Sequence, residues 1–419
     1  MEISYLCKMQ KIIRMKKKLY IWIQIIIAAA LLGVVIGNFV ETLPKKEKKA
    51  KYIFLFIGDG MGFTHIAATE SYLSYKEGKI GGERLLFSTF PYCGNVSTHS
   101  ANMNITCSAA SGTAIACGEK TNNDMLGMNA DSIAVYSMAT ELKEEGYKIG
   151  IVTTAPVNHA TPSAFYAHNI NRDNAYDISC EIPASGFEFF SGAGFLNHRG
   201  ENEDQRPIGE ILEENGYTIS YGLDEFKNKS AQTSKAILCQ KGSFNKNAQN
   251  YSVDYEEMEI SLKEMLETGM EFIGDDEPFF FMCEGGMIDW GAHANSPMAV
   301  VQDVIGFEEA VKKAYEFYLE HPDETLIVVT SDHETGGMTL GTSSKKITWK
   351  PLEEAWEGNR KIDLSQMMAN RELSSECSIG WTSRTHTGGH VPIFAIGVGA
   401  EKFNGSMDNT DIKGKILCK

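Results

Sequence analysis

The 419-residue sequence predicts an α/β fold, a mostly parallel central sheet with helices on both faces, on three observations. Short runs that are apolar throughout recur along the chain. Amphipathic stretches of helical length lie between them, and several of the runs end in turn residues followed by acids or histidines. Strands buried on both faces lack alternation, as in parallel sheets, and their alternation with helices builds a layered domain.

The N-terminal element stands apart from this pattern. Lys16, Lys17 and Lys18 precede residues 19–40, where only Gln24 and Asn38 are clearly polar. At 1.5 Å per residue the run reaches ~33 Å, enough to span a bilayer core. The apolar stretch of a signal peptide is shorter, ~7–15 residues. We therefore expect a basic segment at 1–18, a signal anchor at 19–40 and a basic linker at 41–51, with the body outside the cytoplasm. The alternative is a signal peptide cut near Asn38, giving an exported or periplasmic protein. Met15 followed by three lysines also reads as a start, which would make residues 1–14 a start-site artefact.

The body, 52–419, begins with Tyr52–Ile57 (YIFLFI), closed by Gly58, Asp59 and Gly60. Further strands are expected at Ile149–Thr153, Phe279–Cys283, Leu326–Thr330 and Pro392–Ile396. Helices are expected at Ser132–Glu145, Tyr255–Phe272 and Met298–Leu319, the last with Val304, Phe307, Val311, Ala314 and Tyr318 on one stripe. Residues 197–207 and 224–250 read as polar surface excursions. Residues 341–384, with Trp349, Trp356 and Trp381, read as an inserted cap.

Composition narrows the function. Hydrophobic residues are 43% and charged residues 22%, which excludes a disordered chain and a polytopic membrane protein. Net charge is −16, and the six basic and two acidic residues of 1–44 leave −20 on the remainder. Such a body repels nucleic acid, so an anionic substrate needs a local cationic site, which metal ions could supply. The nine cysteines form no C-x-x-C and read mostly as small core residues.

The strand ends carry the chemistry. Ligands of parallel sheets bind beyond the carboxyl ends of the strands. There stand Asp59, then Glu284 with Asp289 and His293 in E-G-G-M-I-D-W-G-A-H, then Asp332 and His333, and finally His386 in T-H-T-G-G-H. A lone acid after a strand is usually a cap or turn residue. This much like charge at several strand ends calls for cations: imidazole with carboxylate suits zinc, all-oxygen positions suit magnesium. A second signal is T-C-S-A-A-S-G-T-A, Thr106–Ala114, whose small residues suit a close-packed helix with Ser108 at its N-terminus. A helix N-terminus favours an anion or an ionised hydroxyl.

Together, Asp59-Gly60-Met61-Gly62, Ser108-Ala109-Ala110-Ser111, His159-Ala160-Thr161-Pro162 with Arg172 behind it, Glu284 to His293, Asp332-His333 and His386-Thr387-Gly388-Gly389 resemble the alkaline phosphatases, in the family's order over roughly residues 50–400. The resemblance implies hydrolysis of phosphate monoesters through a phosphoserine on Ser108. It implies one zinc on Asp289, His293 and His386, and a second on Asp59, Asp332 and His333 with Ser108 as its reactive ligand. A third, oxygen-rich site would use Asp59, Thr161 and Glu284, usually for magnesium, and Arg172 would clamp the phosphate. A homodimer is compatible with the family.

Three residues depart from the pattern. Cys107 stands where an aspartate is common, and His159 and Trp290 fill positions that are acidic and basic in some members. All three are expected to tune the phosphate clamp and the third site. His390 is assigned no ligand role. A phosphodiesterase of the same superfamily would share the metal ligands, but Ser108 with Arg172 favours monoesters. A sulfatase would need Pro at the second position after Cys107 or Ser108, which is lacking. A catalytically inactive, metal-stabilised surface binding protein is disfavoured by the intact ligand set.

Overall fold

The computed structural model describes residues 2–42, 49–241, 253–254, 260–341 and 345–419. The chain divides into two compact units, Met1–Glu47 and Lys48–Lys419. The first contains one helix, Glu2–Thr42, which takes in the expected run 19–40 and the basic segment before it. Among the described residues no helix is long and apolar enough to cross a membrane. The expected anchor thus draws no support from the structure, and 43–48, most of the expected linker, lie outside the described residues.

The second unit is built on a sheet that, among the described residues, has ten strands. They are β1 Tyr52–Gly58, β2 Tyr92–Ser97, β3 Lys148–Thr153, β4 Phe189–Gly192, β5 Thr218–Tyr221, β6 Ala236–Cys239, β7 Phe279–Gly285, β8 Thr325–Thr330, β9 Val391–Gly397 and β10 Gly405–Asp408. Their order is β10-β2-β9-β8-β1-β7-β3-β4-β6-β5. Every pairing is parallel except those of β9, which is antiparallel to both β2 and β8.

The pleat explains why β1 is apolar throughout. Tyr52, Phe54 and Phe56 enter the core on one face, with Phe279, Phe281, Ile327 and Val329. Ile53, Leu55 and Ile57 enter the core on the other, with Phe280, Met282, Leu326 and Val328. Both faces are covered, so both residue parities must be hydrophobic.

Register then gathers the strand ends. Ile57 pairs with Glu284 on β7 and with Thr330 on β8. Asp59, Glu284 and Asp332 therefore leave the sheet at one edge. The reversed strand β9 starts at that same edge, so His386, five residues before it, arrives there from the opposite direction.

Some expected elements differ. The Ser132–Glu145 helix is only Met138–Glu144, because Ser132 has φ +61° and Ser137 caps the helix by accepting the Thr140 N–H. The Tyr255–Phe272 helix runs Leu262–Ile273, started by a reciprocal capping box of Ser261 and Glu264. Residues 255–259 lie outside the described residues. The supposed excursion 224–250 begins within a helix, Leu223–Lys229, and contains the fully buried strand β6; 242–250 lie outside the described residues. Residues 197–207 are turns and largely exposed, as expected.

Met298–Leu319 is confirmed as Pro297–Glu320. The cap forms two helices, Trp349–Gly358 and Met367–Glu376, and a strand, Ile379–Trp381, paired with Met338–Leu340; its three tryptophans are buried. Among the described residues no disulfide forms. Cys117, Cys239, Cys283 and Cys377 are buried, while Cys93 is exposed.

Candidate functional site

Asp289 and His293 sit one turn apart on the short helix Met287–His293, so they share a face. With His386 they offer ligand atoms within 4.8 Å of one another. Asp59, Asp332 and His333 form a second such group, entirely buried, and Asp59, His159 and Glu284 a third. Ser108 opens the helix Ser108–Cys117, and its Oγ lies 3.1 Å from His333 Nε2.

Hydrogen bonds hold these side chains in the form that binds cations. His293 Nδ1 is 2.6 Å from the Arg384 carbonyl, and His386 Nδ1 is 2.9 Å from the Thr106 carbonyl. A carbonyl only accepts, so Nδ1 carries the proton and Nε2 keeps its lone pair for the cluster. Asp332 Oδ1 accepts the N–H groups of Gly60 and His333. Its Oδ2 is buried without a hydrogen-bond partner, as are Asp59 Oδ1 and Glu284 Oε1. Buried carboxylate oxygens left bare are costly unless a cation completes them. That donor set, imidazole nitrogens with carboxylates in two groups and mainly oxygens in the third, fits metal ions.

The electrostatics agree. Burial, then Asp332, Asp289 and Glu284, push Asp59 well above the ordinary carboxylate range. Burial raises Asp332 to about 8 and Glu284 to about 7. Burial also works upward on Asp289, but His293 and His386 outweigh it and hold the carboxyl well below its usual value. Burial depresses His333 and His386. On His293 it works downward but is outweighed by Asp289, so this imidazole is raised.

A stability prediction follows from these signs. Asp59, Asp332, Glu284 and His293 have raised pKa values, so each stabilises the fold at low pH and loses that contribution as pH rises through its folded value. The depressed imidazoles act oppositely, but only below their usual value of about 6.5. Metal-free protein should therefore lose thermal stability between pH 6.5 and 8.5, while zinc-loaded protein should not. Parallel melting curves against pH, with and without chelator, check this; identical profiles would remove the charge cluster as their cause.

The structure brings the phosphate-clamp residues together in a way the sequence did not foretell. Arg172 Nη2 lies 3.1 Å from His159 Nε2. A guanidinium only donates, so this imidazole nitrogen accepts. Burial, then Arg172, lower His159 to about 3, keeping it neutral. Its ring meets Trp290 edge to face at 6.0 Å between centroids. Thr161 Oγ1 is 3.5 Å from Asp59 Oδ2, at the limit of a hydrogen bond. His159 stands within reach of Asp59 and Glu284, but a neutral ring whose Nε2 accepts from Arg172 carries its proton on Nδ1 and has no second lone pair for an ion, so it adjoins the third group as the partner of Arg172.

Cys107 Sγ accepts the Asp124 N–H at 3.1 Å, and the Asp124 carbonyl accepts the Arg172 N–H at 2.8 Å. Cys107 is therefore linked to the backbone of Arg172 through Asp124, a residue at φ +74° that sequence reasoning missed. Thr153, which donates to Glu284 Oε2, was also missed. His390 hydrogen-bonds Asn95 and belongs to none of the three groups.

A hydroxyl at a helix N-terminus, set among buried acids and imidazoles at the carboxyl edge of a parallel sheet, defines a metal-dependent hydrolase. The sequence model of the alkaline phosphatase family matches residues 50–193, 188–362 and 352–418. Alkaline phosphatase 4 of Bacillus subtilis (strain 168) is 30% identical over 443 residues, 93% of this chain and 93% of the relative. The solved alkaline phosphatase of the Antarctic bacterium TAB5 shares 30% identity at a TM-score of 0.72, covering 89% of this chain and 98% of that one. A variant of it, at 29% identity, a TM-score of 0.70 and the same coverage, was solved with Mg bound in its M3 site. The chain belongs to the alkaline phosphatase family, and its activity is that of a phosphomonoesterase.

Proposed function

We propose that the chain hydrolyses phosphate monoesters to alcohol and inorganic phosphate through a phosphoserine on Ser108. Asp289, His293 and His386 would hold one zinc, and Asp59, Asp332 and His333 a second. Asp59, Thr161 and Glu284 would hold a third ion, magnesium. Bound zinc would supply the Lewis acidity that lowers the Ser108 pKa and neutralises charge on the leaving oxygen. The observation that carries this reading is the position of Ser108 Oγ, 3.1 Å from His333 Nε2 in the second group.

The chain's own groups do the rest. The Ser108 oxygen attacks phosphorus as the bond from phosphorus to the ester oxygen breaks, the serine proton leaving with the departing alcohol and the phosphoryl group staying on serine. Water then attacks that phosphorus, releasing phosphate and returning the proton to Ser108 Oγ. Arg172 offers planar N–H donors to two non-bridging oxygens, while the His159 contact fixes the direction of its fork. A diester keeps two non-bridging oxygens but only one negative charge between them, against three oxygens and two charges on a monoester, so monoesters bind the guanidinium and the cations more strongly.

For location, we propose anchoring by residues 19–40 with the catalytic unit outside the cytoplasm, on the strength of the apolar run and its flanking lysines. One experiment addresses substrate and location together: assay of salt-washed membranes with p-nitrophenyl phosphate and its bis-ester. Chelator-sensitive monoesterase activity should remain in the pellet. Faster cleavage of the bis-ester would make the chain a diesterase, and no activity with either would leave an inactive binding protein. A soluble product beginning near Asn38 would replace anchoring with ordinary export.

A further inference from the structure

Thr335 is fully buried two residues beyond His333. Its Oγ1 lies 2.5 Å from Asp289 Oδ1 and 3.2 Å from His333 Nδ1. A hydroxyl has one proton and two lone pairs, whereas a carboxylate only accepts. The Thr335 proton must therefore go to Asp289. The oxygen then meets His333 Nδ1 with lone pairs, so that nitrogen has to be the protonated one.

We propose that Thr335 is a positioning residue joining the two zinc groups: its single hydroxyl holds Asp289 of one and fixes His333 of the other in the Nδ1–H tautomer. His333 Nε2 is then bare where it faces Ser108 Oγ at 3.1 Å, Asp332 Oδ2 at 3.1 Å and Asp59 Oδ1 at 3.4 Å. His293 and His386 have their tautomers set by main-chain carbonyls, which a side-chain substitution leaves in place. His333 depends on a side chain.

The surroundings hold this hydroxyl in place. The Thr335 N–H donates to the Gly60 carbonyl at 3.1 Å, next to Asp59. Across a two-stranded ribbon Thr335 pairs with His386. Gly60 has φ +70°, and a Cβ there would stand 2.8 Å from Thr335 Oγ1 and 2.9 Å from Asp289 Oδ1. Only glycine leaves the hydroxyl and the carboxylate in contact.

The inference rests on the metal reading proposed above, and its test separates the two. Zinc titration of the full-length protein against a chromophoric chelator should show two tightly held ions in the wild type. Failure there would refute the metal reading itself. Thr335→Val keeps the shape and removes the hydroxyl; it should weaken both ions about 10- to 100-fold, the range seen when an outer partner of a metal ligand is lost. Thr335→Ser should restore both. Weakening of one ion only, weakening of neither, or a serine variant as impaired as valine would overturn the bridge. Nitrogen-15 spectra of metal-free wild type give a readout that does not depend on the valine variant folding. The His333 signals, assigned by their loss in His333→Gln, should show protonated Nδ1 and bare Nε2, and the opposite tautomer would overturn the proposal.

Discussion

Ser108→Ala is expected to lower kcat/KM for p-nitrophenyl phosphate on the order of 10³-fold or more, which corresponds to ~4 kcal/mol or more of lost transition-state stabilisation. The variant loses the atom that would take the phosphoryl group, so acid quenching should trap no labelled phosphate on the protein. It should still bind zinc, because Asp59, Asp332 and His333 remain within reach of one another. The fold should tolerate the change: Ser108 is the first residue of its helix, and the extended residue Cys107 is the N-cap. Slow direct hydrolysis should survive, since a bound metal can still activate water. Measuring turnover, trapped phosphate and zinc content on one preparation separates lost chemistry from lost metal. Wild-type turnover in this variant would remove Ser108 from the mechanism.

The parts of this molecule legible in the sequence are those where one physical requirement dominates. β1, β3, β7 and β8 are buried on both faces, which demands apolar residues along their middles whatever the parity, and their runs are visible without structure. β6 satisfies the same demand over only Ala236–Cys239, too short to stand out from the polar residues around it. β2 carries Asn95 and Gly94 and has no apolar signature; its place in the sheet comes from pairing with β9 and β10.

The site divides along the same line. Acids and histidines after strands are visible because gathering like charge needs a counter-ion. Hydrogen-bond direction is invisible in a sequence. Nothing in His159 announces that its Nε2 would accept from Arg172 rather than face solvent. Likewise Thr335 is one threonine among many until its hydroxyl is seen between Asp289 and His333. Cys107 shows the limit most plainly. Its departure from the family pattern suggested only that it tunes the phosphate clamp, and the route, from Cys107 to the Arg172 backbone by way of Asp124, is visible in the structure alone.

Dialysis against a strong chelator should abolish activity, by about 100-fold or more, since the metal would supply both the activated nucleophile and the neutralised leaving group. Zinc should restore most of it and magnesium alone little. Two of the three groups offer a histidine Nε2 with its lone pair free, and imidazole nitrogen suits zinc, whereas in the third His159 Nε2 is taken by Arg172 and the oxygens left suit magnesium, which prefers six in octahedral geometry. The order of loss can also be read from burial. Asp59, Asp332 and His333 are fully buried, while His293 and His386 are partly exposed. Zinc on Asp289, His293 and His386 should therefore leave first and return first, and this group also needs an open position for water or the leaving oxygen. Timed chelation with metal analysis should show activity falling with the first zinc released, before the second departs. Full activity in magnesium without zinc would mean that the imidazoles are not ligands. Simultaneous release of both zincs would mean that the burial difference does not control access.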